Sequence, residues 1–301
     1  MIGYITGHTG EFASLAVALF WTVTALAFES ASRKMGSISV NIMRLTLAFF
    51  FIGIFTLISR GSFLPFDASR HNWIWLAVSG LIGLVLGDYY LFKSYTLIGS
   101  RFAMLIMTVV PPMAAFFGYM ILDESLEMIQ LAGMVVVIGG ITVAIFNKPV
   151  KGEKLSIKLA PKGVLFAFIG ALGQALGLVL SKYGMKDYDP FASTHIRIIA
   201  GVVGYSILIT VLGRWTVVRN SMRNVEAMKS MTLGAFFGPF LGISFSLLAV
   251  KHTEAGIAST IMSIVPILII APSAFLYKEK ITPVEIIGAI ISVCGVALFF
   301  V

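Results

Sequence analysis

The chain repeats itself once, at a constant separation of 155 residues. Pro111 in the first half corresponds to Pro266 in the second, and Glu124 corresponds to Glu279. A fixed long-range separation means that one structural unit occurs twice, which constrains the architecture before any other feature does. The same separation relates Met107 to Met262, Gly83 to Gly238, Gly87 to Gly242, Gly133 to Gly288 and Gly140 to Gly295.

Both copies are too apolar for a water-soluble domain. Hydrophobic residues make up 58% of the 301 residues and charged residues 12%, whereas an average soluble domain is about 25% charged. Apolar runs of roughly 20 residues match the ~30 Å hydrocarbon core of a bilayer at about 1.5 Å per helical residue. Ten such runs predict an all-α polytopic membrane protein with ten transmembrane helices: about 11–32, 39–59, 73–97, 101–121, 128–146, 162–184, 191–213, 231–250, 255–276 and 282–301.

Five spans in each copy predict an inverted repeat. Because five is odd, the second copy must enter the bilayer from the opposite side, which relates the copies by an axis in the membrane plane. We expect a first five-helix repeat at 1–147, a basic connecting loop at 148–160 and a second repeat at 161–301. In the earlier helices the separation is 153 residues, so that Arg44 corresponds to Arg197.

The net charge of +8 does not indicate a nucleic-acid partner. The basic residues lie in short loops between the apolar runs, where membrane insertion places them. The more basic set of loops includes the one that follows the first span, so the positive-inside rule puts both termini outside the cell. The first run is longer than a signal-peptide core and follows no basic residue, so we expect a multi-pass protein of the cell membrane without a cleaved signal.

The sequence indicates neither a cofactor nor a metal site. The only cysteine, Cys294, lies inside the last predicted span, which excludes a disulfide and a thiolate metal site. Gly87-Asp88 and Tyr188-Asp189 resemble the paired aspartates of intramembrane aspartyl proteases. Position 85 is Val, however, so the Gly-x-Gly-Asp pattern fails, the two elements occur in the opposite order, and Asp189 falls in a loop. This enzyme class stays only a remote alternative.

Ionisable residues inside the spans predict a polar pathway with two gates. Each costs roughly 2.5–3.5 kcal/mol of insertion free energy, so it normally faces protein or water. Asp88 lies near the middle of the third span on a short side chain, and we expect it to face a cavity. Snorkelling to the headgroups is an equal alternative for the longer side chains near helix ends. We expect gating residues in two groups, Glu29, Arg44 and Lys93 towards one face and Lys182, His195 and Arg197 towards the other.

Prolines at matched positions predict kinks in the middle of two spans. Proline removes one backbone hydrogen bond, and the freed carbonyls are best tolerated beside a cavity. Glu124 and Glu279 each precede a helix, so we interpret both as helix caps. Around the kinks we expect a substrate site lined by Trp21, Asp88, Tyr89, Tyr90, Met107, Pro111, Gln174, Phe245, Met262 and Pro266.

Several short motifs occur together along the chain. Ala18-Leu19-Phe20-Trp21 lies in the first span, Arg44 in the second, and the turn 121–126 leads to Gly133 and Gly140. With its second copy, this set resembles the drug/metabolite transporter superfamily, specifically proteins built from two EamA-type domains. The resemblance covers essentially the whole chain.

The resemblance implies a carrier of two inverted five-helix repeats, with a central cavity lined by helices 1, 3, 4, 6, 8 and 9. Members export or exchange amino acids, other metabolites, nucleotide sugars and drugs. Trp21-Thr22 departs from the Trp-Gly that members often have. Ten-helix members usually keep both termini in the cytoplasm, opposite to the charge count here, so the membrane orientation stays open.

The favoured function is transport of small polar or amphipathic metabolites by alternating access. A lining of acidic, basic and aromatic groups suits a zwitterion, so amino-acid-like solutes come first. Proton coupling through Asp88, His195 or His252 and simple facilitation both stay open. We expect a monomer in the lipid bilayer, since a duplicated unit forms a complete pathway. The alternative is a multidrug or organic-cation efflux carrier.

Overall fold

The computed structural model describes residues 8–146, 160–268, 272 and 283–300. This part of the chain is helical almost throughout and contains no β-strand, which confirms the predicted all-α class. Glu279 and nearly all of the connecting loop at 148–160 lie outside the described residues. The proposed boundaries of the repeats therefore stay a prediction.

Helices follow one another with short connections in both halves. The first half contains α1 (Thr9–Met35), α2 (Ser37–Arg60), α3 (Arg70–Gly80), a π-helical segment (Leu81–Gly87), α4 (Asp88–Met107), α5 (Val110–Leu122) and α6 (Met128–Phe146). The second half contains α7 (Pro161–Met185), α8 (Pro190–Val211), α9 (Trp215–Ser221), α10 (Val225–Ala235), a π-helical segment (Phe236–Gly242), α11 (Ile243–His252), α12 (Ala255–Met262), α13 (Val265–Leu268), α14 (Pro283–Ala297) and a 3₁₀ turn (Leu298–Phe300).

Within the described ranges, six helical stretches are long and apolar enough to cross a membrane. Three shorter apolar helices, Val110–Leu122, Met128–Val143 and Ile286–Ala297, accompany them. The protein is thus embedded in the membrane by several spans, while the count of ten stays a prediction. The six are Thr9–Ser32, Ser37–Arg60, Arg70–Ser94, Pro161–Met185, Pro190–Val211 and Val225–His252.

Local sequence signals set the ends of several helices. Ser69 and Asn72 form a reciprocal capping box at the start of α3, which satisfies two N–H groups that the helix itself leaves unpaired. The Asp189 side chain accepts a hydrogen bond of 2.8 Å from the Ala192 N–H at the start of α8. Gly61 ends α2 with a φ of 74°, a conformation that glycine adopts without steric cost.

The sequence repeat produces irregular helices at equivalent positions. The π-helical segments Leu81–Gly87 and Phe236–Gly242 are 155 residues apart at both ends. The helix is also interrupted before each proline kink, at 108–109 and at 263–264. These interruptions confirm that the spans break near Pro111 and Pro266, as proline in mid-span requires.

Glycines let the two repeats come into backbone contact. A Cβ on Gly173 of α7 would lie 2.7 Å from the Cα of Gly87, and one on Gly177 would lie 2.8 Å from the Cα of Gly83. Small residues four positions apart on both partners allow this approach in membrane helices. The contact fixes the first π-helical segment against α7.

Candidate functional site

A charged cluster lies where α7 packs against the first π-helical segment. Arg44 of α2 forms an ion pair with Asp88, the first residue of α4, and each side chain is only 8% exposed. The Gln174 side chain of α7 donates from Nε2 to Asp88 Oδ1 at 2.6 Å. One carboxylate is therefore bound by a side chain from each repeat.

The π-helical segment positions Asp88 and is itself held by the second repeat. The Asp88 backbone N–H donates to the carbonyls of Gly83 and Val85. The Tyr205 hydroxyl donates to the Val85 carbonyl at 3.3 Å, and Gln174 Nε2 lies 3.4 Å from the Gly83 carbonyl. A π-helical turn often marks a functional site, and here its carbonyls bind side chains from the other repeat.

Arg197 of α8 lies beside the same cluster. Its side chain is buried, with the residue 4% exposed, and its Nη2 stands 3.3 Å from where a Gly83 Cβ would be. Sequence reasoning assigned Arg44 and Arg197 to two separate gates. In the described structure Arg44 pairs with Asp88, whereas Arg197 lies against Gly83 of the adjoining π-helical segment and forms no ion pair with Asp88.

The equivalent surface in the other half is aromatic. Trp21 of α1 corresponds to Gln174, and its indole Nε1 lies 2.5 Å from where a Gly242 Cβ would be. Phe245 of α11 packs edge-on against Phe20, with ring centroids 5.4 Å apart. The ring cluster continues through Phe51, Phe55, Phe191, Phe236, Phe237 and Phe240.

Tyr89, Tyr90 and Lys93 lie along α4. The rings of Tyr89 and Tyr90 pack edge-on at 5.4 Å, and Tyr90 contacts Phe166 of α7 at 5.1 Å. Lys93 Nζ donates to the Tyr89 hydroxyl at 3.3 Å and also lies over the Phe166 ring. Tyr90 and Lys93 therefore contact α7, and no ion pair joins Lys93 to Asp88 in the described structure.

The remaining predicted lining residues lie near the proline interruptions. Met262 is buried, with 2% exposure, Pro111 is buried and Met107 is half-buried. The side chains of Glu29 and Pro266 lie outside the described part of the structure, although both residues belong to helices. Their predicted roles in binding and gating stay predictions.

His195 occupies an aromatic environment. It is 0% exposed and lies between the rings of Phe49 and Phe63, at centroid distances of 4.9 Å and 5.8 Å. Neither ring nitrogen has a hydrogen-bond partner among the described residues. His195 is thus not joined to Lys182 or Arg197, the residues with which it was grouped.

Glu124 connects the two repeats at one end of the bundle. Its carboxylate accepts a hydrogen bond of 2.9 Å from the Ala255 N–H and forms an ion pair with Lys182 of α7. Lys182 Nζ also donates to the Thr253 carbonyl at 2.6 Å. The sequence predicted that the Glu124 carboxylate caps the helix that follows it in the chain. In the structure it instead binds the backbone N–H of Ala255, the first residue of α12.

A second set of contacts, within and between the repeats, lies at the same end. Tyr188 donates to Asp67 Oδ1 at 2.9 Å, and Arg60 pairs with Asp67 at 2.5 Å. Lys251 Nζ donates to the Asp187 and Tyr188 carbonyls. We call this end, formed by residues 60–72, 122–124, 182–190 and 251–255, the latch end. Sequence reasoning missed these contacts because they join loops that no motif relates.

Two side chains in the loops of the latch end, Asp67 and Tyr188, have shifted pKa values. Partial burial of Asp67 works against ionisation, but the hydrogen bond from Tyr188 and the Arg60 guanidinium outweigh it and hold the pKa of Asp67 below 3.8. Burial raises the pKa of the Tyr188 phenol above 10.0, although the neighbouring Arg60 opposes the shift. At neutral pH, Asp67 is therefore ionised and Tyr188 is protonated.

A depression of about 410 Å³ opens at the latch end, and a second of about 380 Å³ lies next to it. The first depression is lined by Leu122, Glu124, Lys182, Tyr183, Lys186, Asp187 and Lys251.

Within the described ranges, no three His, Cys, Asp or Glu side chains come close enough to hold a metal ion.

Two curated relatives are transporters. An uncharacterized transporter of Clostridium kluyveri is 27% identical over 179 residues, which span 60% of this chain and 56% of that protein. The uncharacterized transporter YyaM of Bacillus subtilis is 25% identical over 228 residues, which span 75% of this chain and 73% of that protein.

Comparison with a solved structure supports the same fold. A protein crystal structure with 17% sequence identity superposes with a TM-score of 0.74, covering 97% of this chain and 95% of that chain. The model of one family, described as the EamA-like transporter family, matches residues 8–146 and again residues 161–301. These two matches cover nearly the whole chain, one for each repeat, and the chain therefore belongs to the EamA-like transporter family.

Proposed function

We propose that the protein carries small polar or amphipathic metabolites, amino-acid-like solutes foremost, across the cell membrane by alternating access. The observation that carries this proposal is the buried cluster of Arg44, Asp88 and Gln174 where the repeats meet. Charged groups at membrane depth are costly and mark pathways for ions or substrates in membrane proteins. Carriers with duplicated units bind their substrates at such an interface.

Contacts at the latch end support an inverted arrangement of the repeats. Tyr188 follows the first helix of the second repeat, and Asp67 follows the second helix of the first. In parallel repeats these two loops would lie on opposite faces of the membrane, whereas in inverted repeats they share a face. The 2.9 Å hydrogen bond between Tyr188 and Asp67 favours the inverted arrangement.

Alternating access then begins from a conformation closed at the latch end. Opening at this end separates α7 and α12 from α5, which breaks the contacts of Glu124 with Lys182 and Ala255. The proline interruptions at 108–109 and 263–264 lie where α5 and α13 begin, and they provide positions at which these helices bend. One chain contains both repeats that the carrier needs, which supports a monomer.

The two alternatives receive less support. A carrier of organic cations needs a carboxylate that is free to pair with its substrate, but Asp88 is already bound by Arg44 and Gln174. An aspartyl protease needs two neighbouring aspartates, whereas Asp189 caps α8 at the latch end. Proton coupling through Asp88 or His195 stays compatible with the carrier.

Uptake into proteoliposomes tests the proposal. We expect saturable uptake of labelled amino acids from a mixed panel, loss of that uptake in Asp88→Asn, and retention in Glu226→Gln. Glu226 is an exposed acid at the end of the bundle remote from the cluster, so its amide variant is a matched control. Uptake of tetraphenylphosphonium alone would favour the cation carrier, and uptake of neither class by folded protein would overturn the proposal.

A further inference from the structure

The short helix α9 lies at the membrane surface. The span Pro190–Val211 precedes it and the span Val225–His252 follows it, so the connection 212–224 stays close to the boundary between lipid and water. Val218 is buried, and the Ser221 hydroxyl donates to Ser39 Oγ at 3.1 Å. These two side chains fix α9 to the bundle at the beginning of α2.

Apolar side chains on and beside α9 are exposed. The exposed fraction is 45% for Trp215, 52% for Val217 and 55% for Met222. Trp215 Nε1 donates to Thr210 Oγ1 at 2.9 Å, so the one polar group of this indole needs no water. Tryptophan is enriched where a protein meets the headgroup region of a bilayer. The exposed surface of α9 is therefore suited to lipid.

Three arginines alternate with these apolar side chains. Arg214, Arg219 and Arg223 are all exposed, and no ion pair joins any of them to an acid among the described residues. The nearest acid along the chain, Glu226, pairs with Lys34 at 2.8 Å. The connection thus carries three positive charges that no carboxylate neutralises.

The equivalent connection of the first repeat lacks this arrangement. The N-cap residues Ser69 and Asn224 are 155 positions apart, so residues 57–69 correspond to residues 212–224. The only basic residue among 57–69 is Arg60, and Asp67 pairs with it at 2.5 Å. Residues 61–69 form no helix. Duplication of the unit alone therefore does not account for α9 and its arginines.

The chemistry of α9 matches the surface of an anionic bilayer. A guanidinium binds phosphate oxygens through two parallel hydrogen bonds, and a basic helix with exposed apolar side chains lies where headgroups meet acyl chains. Membrane insertion by itself explains positive charge in a loop. It does not require the charged residues to alternate with exposed apolar side chains on a helix.

We propose that Arg214, Arg219 and Arg223 bind the phosphate groups of anionic lipids such as phosphatidylglycerol, while Trp215 lies between the headgroups and the acyl chains. Binding depends on the embedding of the chain in the membrane and not on the transported solute. Because Val218 and Ser221 fix α9 to the bundle, a bound anionic lipid stabilises the folded protein.

Thermal unfolding in detergent tests the binding with three probes: phosphatidylglycerol, phosphatidylcholine and inorganic phosphate. We expect a saturable rise in unfolding temperature with phosphatidylglycerol alone. Each arginine near an anionic lipid surface contributes about a fivefold factor in binding, so Arg219→Gln with Arg223→Gln should raise the half-maximal lipid concentration about 25-fold. Lysines at both positions should restore part of the affinity, because they keep the charge without the paired hydrogen bonds.

Arg70→Gln with Lys186→Gln is the matched control. Both residues are exposed at the latch end, and the variant changes the charge of the protein by the same amount as the α9 variant. Its half-maximal lipid concentration should equal that of the parent. An equal loss in the two variants would show that only net charge matters and would overturn the inference.

Tryptophan fluorescence gives a readout at α9 itself. Lipids with brominated acyl chains quench an indole that they contact. In phosphatidylcholine bilayers, a minor fraction of brominated phosphatidylglycerol should quench more strongly than the same fraction of brominated phosphatidylcholine. This excess should disappear in Trp215→Phe and in Arg219→Gln with Arg223→Gln. Equal quenching by the two lipids, or an excess that persists in Trp215→Phe, would overturn the inference.

The remaining outcomes identify other ligands. A rise with inorganic phosphate as large as the rise with phosphatidylglycerol would assign the arginines to a free anion, and an equal rise with phosphatidylcholine would reduce the effect to bulk lipid. Either result overturns the inference. Neither affects the carrier proposal, which the uptake of labelled solutes tests separately.

Discussion

The carboxylate of Glu124 in the first repeat accepts a 2.9 Å hydrogen bond from the backbone N–H of Ala255 in the second. Ala255 is the first residue of α12, so the carboxylate meets the positive end of that helix dipole. The same carboxylate pairs with Lys182 of α7. One side chain therefore holds two helices of the opposite repeat, and opening at the latch end must release both.

Glu124→Gln should weaken the contacts of this side chain with Lys182 and Ala255 at the latch end, because it replaces the negative charge by a neutral amide. Loss of charged hydrogen bonds of this kind costs about 1.5–3 kcal/mol, which corresponds to at least about a tenfold rise in the population of the open state. The readout is the rate at which a membrane-impermeant maleimide labels Ser259→Cys in a Cys294→Ser background. Ser259 is 5% exposed on α12, one turn beyond the latch.

Glu127→Gln is the matched control for this experiment. Glu127 is an exposed acid on the same connection, three residues from Glu124, so its amide variant should label at the parent rate. A labelling rate that stays unchanged in Glu124→Gln would show that the contacts of Glu124 do not limit opening at the latch end.

Breaking the ion pair between Arg44 and Asp88 should lower stability more than removing both charges. A single substitution leaves one buried charge without its partner, at a cost of about 3–5 kcal/mol, whereas an apolar pair of similar volume is often tolerated. We expect Arg44→Met to lower the unfolding temperature in detergent, and Arg44→Met combined with Asp88→Leu to recover part of the loss. Lys34→Met, at an exposed ion pair with Glu226, should change little. A double variant less stable than the single one would contradict this prediction.

The helical class and the repeat were predictable because both are encoded in the order of the residues. The length of each apolar run indicates the length of a span, and the matched prolines predict where the helices are interrupted. The π-helical segments were not predictable, since the glycines at 80–87 are equally compatible with a regular helix. Their carbonyls are held by Gln174 and Tyr205 from the other repeat, and such partners follow from tertiary packing alone.

The candidate site was predictable only in part, because the sequence indicates the depth of a residue in the membrane but not its tertiary contacts. The mid-span position and short side chain of Asp88 predicted that it faces a cavity; the structure buries it against Arg44 and Gln174, and a cavity beside it stays a prediction. Parity separated Arg44 from Arg197, but the Arg197 side chain lies against Gly83, in the π-helical segment that adjoins the Asp88 bound by Arg44, and a rule about helix ends does not capture this packing. The contacts of Asp67 with Arg60 and Tyr188 depend on loop conformations for which the sequence carries no periodic signal.

Glycine contacts between the repeats predict opposite effects for two alanine substitutions. In Gly173→Ala the new Cβ would meet the Gly87 backbone at 2.7 Å, so the helices must move apart, at a cost of about 1–3 kcal/mol. Gly139→Ala, inside α6, meets nothing within 4 Å and should be neutral or stabilising by up to about 1 kcal/mol. Unfolding temperatures compare the two, and equal effects would contradict the close packing of α7 on the first π-helical segment.

The contacts among Arg60, Asp67 and Tyr188 predict how the latch end responds to pH. The pKa of Asp67 lies below its ordinary 3.8 in the folded protein, so its contribution to stability is present above that value and is lost as the pH falls through the lowered pKa. The pKa of Tyr188 lies above its ordinary 10.0, so its contribution is present below that value and is lost as the pH rises through the raised pKa.

Tyr188→Phe removes the phenol and should therefore lower the unfolding temperature by an amount that is constant between about pH 5 and pH 9 and shrinks outside that range. The effect should stay below about 1 kcal/mol, because Asp67 is more than half exposed and solvent screens its interactions. Unfolding temperatures of both proteins, measured across this pH range, check the prediction. A difference that grows on acidification would mean that Tyr188 acts through another group, since protonated Asp67 no longer accepts a charge-assisted hydrogen bond from the phenol.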